Sequence, residues 1–353
     1  MNSLTSQGCH TRQERMRAHL QAHDLDAALI CESRYVHYFT GHWTKVHQFS
    51  SVLITPEATI LSTGKPAETA FVDDARTYVA NKTSTLVDDR RHAVLAPLLD
   101  SLKGRIGCDG GTPWDAVENR TDLSETLRTM RRTKDADEVA LIRRAVEGTE
   151  AAYARAREIL APGVSEMHVY AEMLKTATET IGEPLGEFTQ DFRAGAAGGA
   201  PRVRAVEDGE LMPLDVSVWL RGYSCDLCRT FAVGTPTSAQ QEAQRQIVAA
   251  LDHVERTARA GGSCQKLYHE VNAMLNTDER WKFGHHLGHG IGLAPHEAPR
   301  LNPQWNDTFQ VGDVFTAEPG VYGEILNAGI RIEQNYLVTE SGLERLSHFP
   351  VEL

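Results

Sequence analysis

Between residue 12 and about residue 123, apolar positions switch repeatedly between a helical and a strand-like period. RQERMRAHLQAHDL (12–25) spaces its apolar residues as one face of a helix. AALIC (27–31), SVLITP (51–56) and ATILST (58–63) are short apolar runs that predict strands. TYVAN (77–81) and STLVDD (84–89) predict two more, RHAVLAPLLDSLKG (91–104) a helix, and RIGCDG (105–110) a strand. Helix and strand alternating in this way predict an α/β domain over residues 1–130. That domain contains neither a Walker loop nor a GxGxxG turn.

The charged stretch RTMRRTKDADE (128–138) marks the boundary to a second domain, residues 131–353. Asp135 and Glu138 have capping-box spacing ahead of Val139, Ile142 and Val146, so a helix is expected to open near Ala136. Further helices are expected from Ser165 toward Gly182 and over residues 238–262. Ser238 is the expected N-cap of the latter and Gly261 its stop. Strand pairs lie between and after these helices, which makes the second domain α+β.

Composition narrows the function without naming it. At 353 residues and 41% hydrophobic, the chain can build two cores. A net charge of −12 argues against nucleic acid or an anionic membrane as partner, and no run approaches the roughly 18 apolar residues of a membrane span. The N-terminus lacks the apolar core of a signal peptide, and six scattered cysteines do not make a disulfide framework. A reducing cytoplasm is the expected location.

Candidate chemistry begins in MPLDVSVWLRGYSCDLCRTFAVG (212–234), which alternates about Arg221-Gly222 as a β-hairpin. With that turn, Asp226 falls opposite Ser217, and Asp215 points the same way as Asp226. Two such carboxylates hold a cation between them, share a proton, or sit at a solvated sheet edge. FGHHLGHGIGLAPHEAPR (283–300) adds His285, His286, His289 and His296 among glycines that allow close backbone approach. Glu318 in DVFTAEPGVY and Glu333 in AGIRIEQNYLVT lie in apolar segments, where a buried carboxylate needs a partner or a metal. Arg331 shares a face with Glu333 and is one such partner. Four carboxylates carry the charge that two divalent ions would neutralise. Their oxygen-rich chemistry suits manganese foremost, with cobalt, iron or zinc as alternatives.

These motifs together resemble the pita-bread metallopeptidases: Xaa-Pro dipeptidase, aminopeptidase P and methionine aminopeptidase, with creatinase as a metal-free relative. The match rests on Asp215 and Asp226 eleven positions apart, GHGIG ahead of HE, and EPGVY ahead of GIRIE, with a looser likeness in the first domain around YFTGHW (38–43). The resemblance implies an α+β pita-bread catalytic domain behind a smaller α/β domain, in a homodimer. It also implies hydrolysis of an N-terminal peptide bond, chiefly Xaa-Pro, by a hydroxide bridging two divalent ions. Carried over by position, Asp215 chelates one ion, Asp226 and Glu333 bridge both, and His289 and Glu318 complete the second. Glu318 doubles as general base, His296 binds substrate and the tetrahedral intermediate, and His285 and Arg331 support the site.

Two departures from the family pattern stand out. Arg202 follows Pro201 where relatives keep a histidine, so it either faces the site and selects a carboxylated substrate or is a solvated loop residue. Cys228 stands where relatives keep a threonine; by strand parity it shares the face of Asp226, whereas Cys225 points away. The CxxC is therefore a coincidence of spacing, and Cys228 a candidate for tuning the metal site. Two other functions remain open at this level: hydrolysis of a non-peptide amide or small carboxylated substrate, and a peptide-binding pseudoenzyme.

Overall fold

The computed structural model describes residues 3–44, 49–79, 90–113 and 115–353. The chain divides into two compact units, one of residues 1–131 and 135–137, the other of residues 132–134 and 138–353.

In the first unit a mixed six-stranded sheet runs in the order Asp74–Thr77, Thr59–Thr63, Ser50–Ile54, Ala27–Ile30, Ile106–Cys108, Arg120–Asp122. Ala27–Ile30 and Ser50–Ile54 are buried at every position, with the apolar runs AALI and VLI supplying most of the covered surface. The first helix, Ser6–Ala22, starts six residues before the apolar pattern does, because Thr5 caps it by accepting from the Gly8 amide. The strand expected over 77–81 instead spans Asp74–Thr77, an exposed sheet-edge segment with no apolar alternation to reveal it. STLVDD lies outside the described residues. The expected helix at 91–104 is broken into Arg90–Leu95 and a 3-10 turn, Ala96–Ser101, with Pro97 at the junction.

The second unit holds the helices Ala136–Ile159, Glu166–Ile181, Ser238–Thr257 and Cys264–Leu275. Ser165 caps the second of these, and Gly182 ends it in the left-handed conformation, as the sequence predicts. The third is shorter than expected. Thr237 rather than Ser238 is its N-cap, in a reciprocal capping box with Gln240, and it stops at Ala258, ahead of Gly261. Cys264–Leu275 then forms a separate helix capped by Ser263.

Three sheets complete this unit. Leu211–Leu220 lies at the centre of one, flanked by Leu227–Ala232 and Phe188–Asp191, with Tyr223–Ser224 also paired to it. A five-stranded sheet runs Glu297–Leu301, Gly288–Gly290, Val314–Ala317, Gln334–Thr339, Gly342–Arg345, and Gly320–Gly323 pairs with Ala328–Arg331. One apolar core packs Ala145, Val146 and Tyr153 under the first of these sheets, and a second packs Ile247, Leu251 and Val271 under the five-stranded one. Among the described residues no helix is long and apolar enough to cross a membrane.

Candidate metal centre

The hairpin is built as its sequence predicts. Arg221 and Gly222 both take positive φ, 51° and 85°, the conformation of a two-residue turn matched to strand twist. The ladder then sets Cys228 directly opposite Asp215 and Leu227 opposite Val216. Ser217 Oγ donates to Asp226 Oδ1 at 2.8 Å, which fixes the carboxylate on the face shared with Asp215. Regular pairing lapses at Asp226, and the Asn335 side-chain amide takes over by bonding both the Asp226 amide and its carbonyl.

The histidine segment is positioned by close backbone approach. A Cβ on Gly288 would sit 1.9 Å from the Thr316 carbonyl oxygen, and one on Gly290 would sit 2.0 Å from that of Ala298. Only the absence of side chains on both sides lets this short strand fit between its neighbours, with His289 as its one projecting group. Glu318 follows the next strand, its amide bonded to the Leu287 carbonyl at 2.8 Å. The Glu333 amide reaches the Cys228 carbonyl at 3.0 Å and joins the two sheets.

Asp215, Asp226 and Glu333 bring carboxylate oxygens within 4.8 Å of one another; Asp226, His289 and His296 form a second such group, and His286, His289 and Glu318 a third. Burial and the neighbouring Asp215 carboxylate hold Asp226 well above the usual carboxylate range. Burial, with Asp226 and Asp215 nearby, does the same to Glu333, against the opposing hydrogen bond from Thr316 Oγ1. Burial pushes Asp215 up to about 6 despite the Arg331 guanidinium. Buried Asp215 Oδ1 has no hydrogen-bond partner among the described residues. A divalent cation relieves all three conditions at once.

His289 points to the same need. Its Nδ1 lies 3.1 Å from the Gly290 carbonyl, which can only accept, so in the neutral ring Nδ1 carries the proton and Nε2 a lone pair. Burial holds the ring neutral by lowering its pKa to about 4. Nε2 faces Glu318 Oε1 at 3.5 Å and Asp226 Oδ2 at 3.9 Å, so its lone pair is aimed at two carboxyl groups. The donor set of carboxylates and one imidazole fits divalent metal ions.

Around this group stand residues with other tasks. His296 stacks on His289, ring centroids 3.9 Å apart, and is the exposed member of its group. His285 donates from Nδ1 to the His286 carbonyl at 2.8 Å, leaving Nε2 to accept from the Tyr322 hydroxyl at 3.2 Å. Arg331 does not pair with Glu333. Its Nε and Nη2 donate to Asp215 Oδ2, Nη2 donates also to Asp191 Oδ2 at 2.6 Å, and Nη1 donates to the Tyr322 hydroxyl at 2.9 Å. Strand pairing decides this, because Asp191 and Asp215 sit opposite one another.

Arg202 has partners of its own: its amide, Nε and Nη2 all bond the Glu166 carboxylate, and Nη2 also bonds the Ala194 carbonyl, so its guanidinium anchors a helix start. Cys228 is fully buried on the site face, whereas Cys225 lies on the other face with Sγ 3.2 Å from Thr149 Oγ1. All six cysteines are free thiols.

Sequence reasoning missed two participants. His286 Nε2 lies 2.7 Å from Glu318 Oε1, and Asp191 holds Arg331. His286 was visible as one of four clustered histidines. Asp191 had no signal, since its strand pairing depends on the tertiary register.

An α/β unit followed by a helix-and-sheet unit with a buried acidic group at its centre is the architecture of the two-domain prolidases and aminopeptidases P. An Xaa-Pro dipeptidase from Bacillus anthracis superposes with a TM-score of 0.80 at 22% identity over 98% of this chain and 99% of its own. An aminopeptidase P from Escherichia coli does so with 0.79 at 20% identity over 99% and 97%. The chain belongs to metallopeptidase family M24: the family model matches residues 140–340, and the creatinase/prolidase N-terminal domain model matches residues 12–146. In sequence it is 26% identical over 355 residues to an Xaa-Pro dipeptidase of Pyrococcus horikoshii, spanning 95% of this chain and 96% of the relative. An Xaa-Pro dipeptidase of Pyrococcus furiosus is also 26% identical, over 97% of this chain and 99% of its own. The chain is thus a metal-dependent peptidase that uses divalent metal ions.

Proposed function

We propose that the substrate is a peptide with proline in second position, a dipeptide or short peptide, cleaved at its N-terminal bond. In this reading two divalent ions, manganese foremost and cobalt, iron or zinc as alternatives, are held by Asp215, Asp226, His289, Glu318 and Glu333. The observation that carries the ion site is the His289 Nε2 lone pair facing two carboxylates. What supports the choice of substrate is full-length similarity to Xaa-Pro dipeptidases.

Ions so held supply Lewis-acid polarisation of the scissile carbonyl and lower the pKa of water. The chain's own groups then divide the remaining work. Burial opposes ionisation of Glu318, but the hydrogen bond and charge of His286 hold it at about 2, so it is ionised, the form that its proposed roles as ligand and general base require. His296, neutral because burial lowers its pKa, stacks at the exposed side of the group and donates to the oxygen that gains charge as the carbonyl is attacked. Arg331 fixes Asp215 and is itself braced by the Tyr322 hydroxyl, which His285 orients.

The protein is further proposed to act as a homodimer in the cytoplasm, where its six free thiols stay reduced. Metal analysis of the purified protein, followed by rates on Xaa-Pro dipeptides, longer Xaa-Pro peptides and non-proline controls, tests the reading. Equal rates on proline and non-proline substrates would sink the proline requirement.

A further inference from the structure

His296 is placed by something other than its own hydrogen bonds. Its ring stacks on His289 at 3.9 Å and meets His286 edge-on at 5.7 Å, and neither ring nitrogen has a hydrogen-bond partner among the described residues. His285 and His289 differ, each held at Nδ1 by a main-chain carbonyl. An imidazole without such a partner takes its position from the main chain that carries it.

That main chain is pinned one residue further on. Glu297 opens the strand Glu297–Leu301 and is buried where His296 is exposed, the reversal expected of neighbouring side chains at a strand end. Glu297 also pairs with Gly290, the residue after His289, across an irregular step in the ladder. The two stacked histidines are therefore tied together through the residues that follow them.

Lys134 is the anchor. Its Nζ donates to Glu297 Oε1, with side chains only 1% and 4% exposed, and to the Arg132 carbonyl at 2.9 Å. The Lys134 amide bonds the Gly312 carbonyl at 2.8 Å, Thr133 pairs with Asp313 in an isolated bridge, and the Arg132 guanidinium bonds the Asp313 carboxylate. The ammonium is thus held against the turn that leads into the strand Val314–Ala317. Gly292 closes over the ion pair with φ of 152°; a Cβ there would sit 2.7 Å from Lys134 Cε and 3.0 Å from Glu297 Oε1. Its carbonyl accepts the Ser224 amide at 2.9 Å, on the hairpin that carries Asp226.

A buried ion pair is a poor source of stability, because desolvating two charges offsets most of their attraction. It does enforce geometry, since separating the pair leaves a charge buried without a partner. Here the geometry enforced is that of the residue beside His296.

We infer that Lys134 and Glu297 are positioning residues, their ion pair setting where the His296 imidazole stands against His289. This rests on the role given to His296 above and adds two residues that act through it.

The test uses the metal-loaded full-length protein. Removing one partner outright would leave the other charge buried, so the main variant combines Lys134→Met with Glu297→Gln, which keeps the shape and removes both charges. Urea unfolding and metal analysis check that it is folded and loaded. Its kcat on an Xaa-Pro dipeptide is expected to fall about 10- to 100-fold with KM little changed, the cost of misplacing a group that acts in the transition state. Glu297→Gln alone keeps an acceptor for Lys134 and loses less. His296→Ala lowers kcat about 10²- to 10³-fold, and adding the double variant to it costs little more, because the residue through which the pair acts is gone. A full additional loss in the His296→Ala background overturns the inference, as does an unchanged kcat in the double variant beside an impaired His296→Ala. The NMR ring signals of His296 in the zinc-loaded protein, identified by their disappearance in His296→Ala, give a second readout. They move in the double variant if the pair positions the ring, and unmoved signals sink the inference. That readout decides it even where His296→Ala leaves kcat unchanged or no Xaa-Pro peptide is cleaved, outcomes that count against the role of His296 or the substrate reading instead.

Discussion

His286 Nε2 lies 2.7 Å from Glu318 Oε1, so the candidate general base is held in place by a second imidazole from the same glycine-rich segment as His289. The partnership raises His286 and lowers Glu318, each favouring the charged form of the other. Replacing His286 with Ala is expected to lower kcat about 10- to 100-fold while metal content is retained, since a charge-assisted bond is lost but no proposed ligand is. His286→Gln, which keeps a donor at similar reach, should recover much of this. Glu318→Gln is expected to cost about 10²- to 10⁴-fold, the range of a removed acid–base group. Steady-state kinetics with metal analysis on each variant checks the ranking, and an active Glu318→Gln enzyme contradicts the assignment.

Metal removal should make stability depend on pH with an unusual sign. In the folded metal-free protein Asp226 and Glu333 are held well above the usual carboxylate range, and Asp215 at about 6. A carboxyl raised on folding contributes stability below its unfolded value of about 4, and this is lost as pH rises through the folded value. Buried His289, held at about 4, works in the opposite sense between pH 5 and 6.5, but three raised carboxyls outweigh it, so the chelated protein is expected to melt at lower temperature at pH 7.5 than at pH 5. Adding manganese or cobalt should raise Tm, more at the higher pH, where fewer protons need displacing. Thermal scans at both pH values with and without metal measure this; a chelated protein more stable at pH 7.5 is the contrary result.

Cys228 should be inert while the protein is folded. It is fully buried, and burial holds its thiol far above the ordinary range even with Arg331 nearby, so little thiolate exists to react. Treating the native enzyme with iodoacetamide or dilute peroxide, then mapping by mass spectrometry, is expected to leave Cys228 unmodified. Modification of the native holoenzyme at Cys228 would show that this pocket opens.

Arg229 ties the hairpin to the C-terminal segment. Buried to within 1% of full burial, it donates to the carbonyls of Cys228, Glu333, Phe349 and Pro350 and to the Gln334 side chain. Arg229→Met leaves several carbonyls without a donor, at about 1–3 kcal/mol each where no water reaches them. A loss of about 3 kcal/mol or more in urea unfolding is expected, with earlier proteolysis after residue 346. Unchanged stability would mean that water replaces the guanidinium.

Much of the architecture was legible because burial imprints itself on sequence. The apolar runs at 27–30 and 52–54 announced a covered sheet, and the alternation about Arg221-Gly222 announced a hairpin whose register put Asp226 opposite Ser217. Where a segment lacks that imprint, as in the exposed Asp74–Thr77 strand, prediction slipped. Side chains were harder to place than strands. Parity put Arg331 on the face of Glu333, yet pairing of the Asp191 strand supplied a nearer carboxylate. Arg202 looked free in the sequence because Glu166, its partner, is 36 positions away.

The grouped donors come from two sheets, with Asp215 and Arg331, 116 residues apart, in direct contact. No local segment of the chain holds more than a fraction of the donors, so an ion has little to grip in a nascent or unfolded polypeptide. That reverses the sequence of events seen in small zinc modules, where capture of the ion nucleates the fold. Here maturation runs the other way. On the proposed ligand set, closure of the polypeptide precedes metal loading, and metal supply then limits how many folded molecules are active.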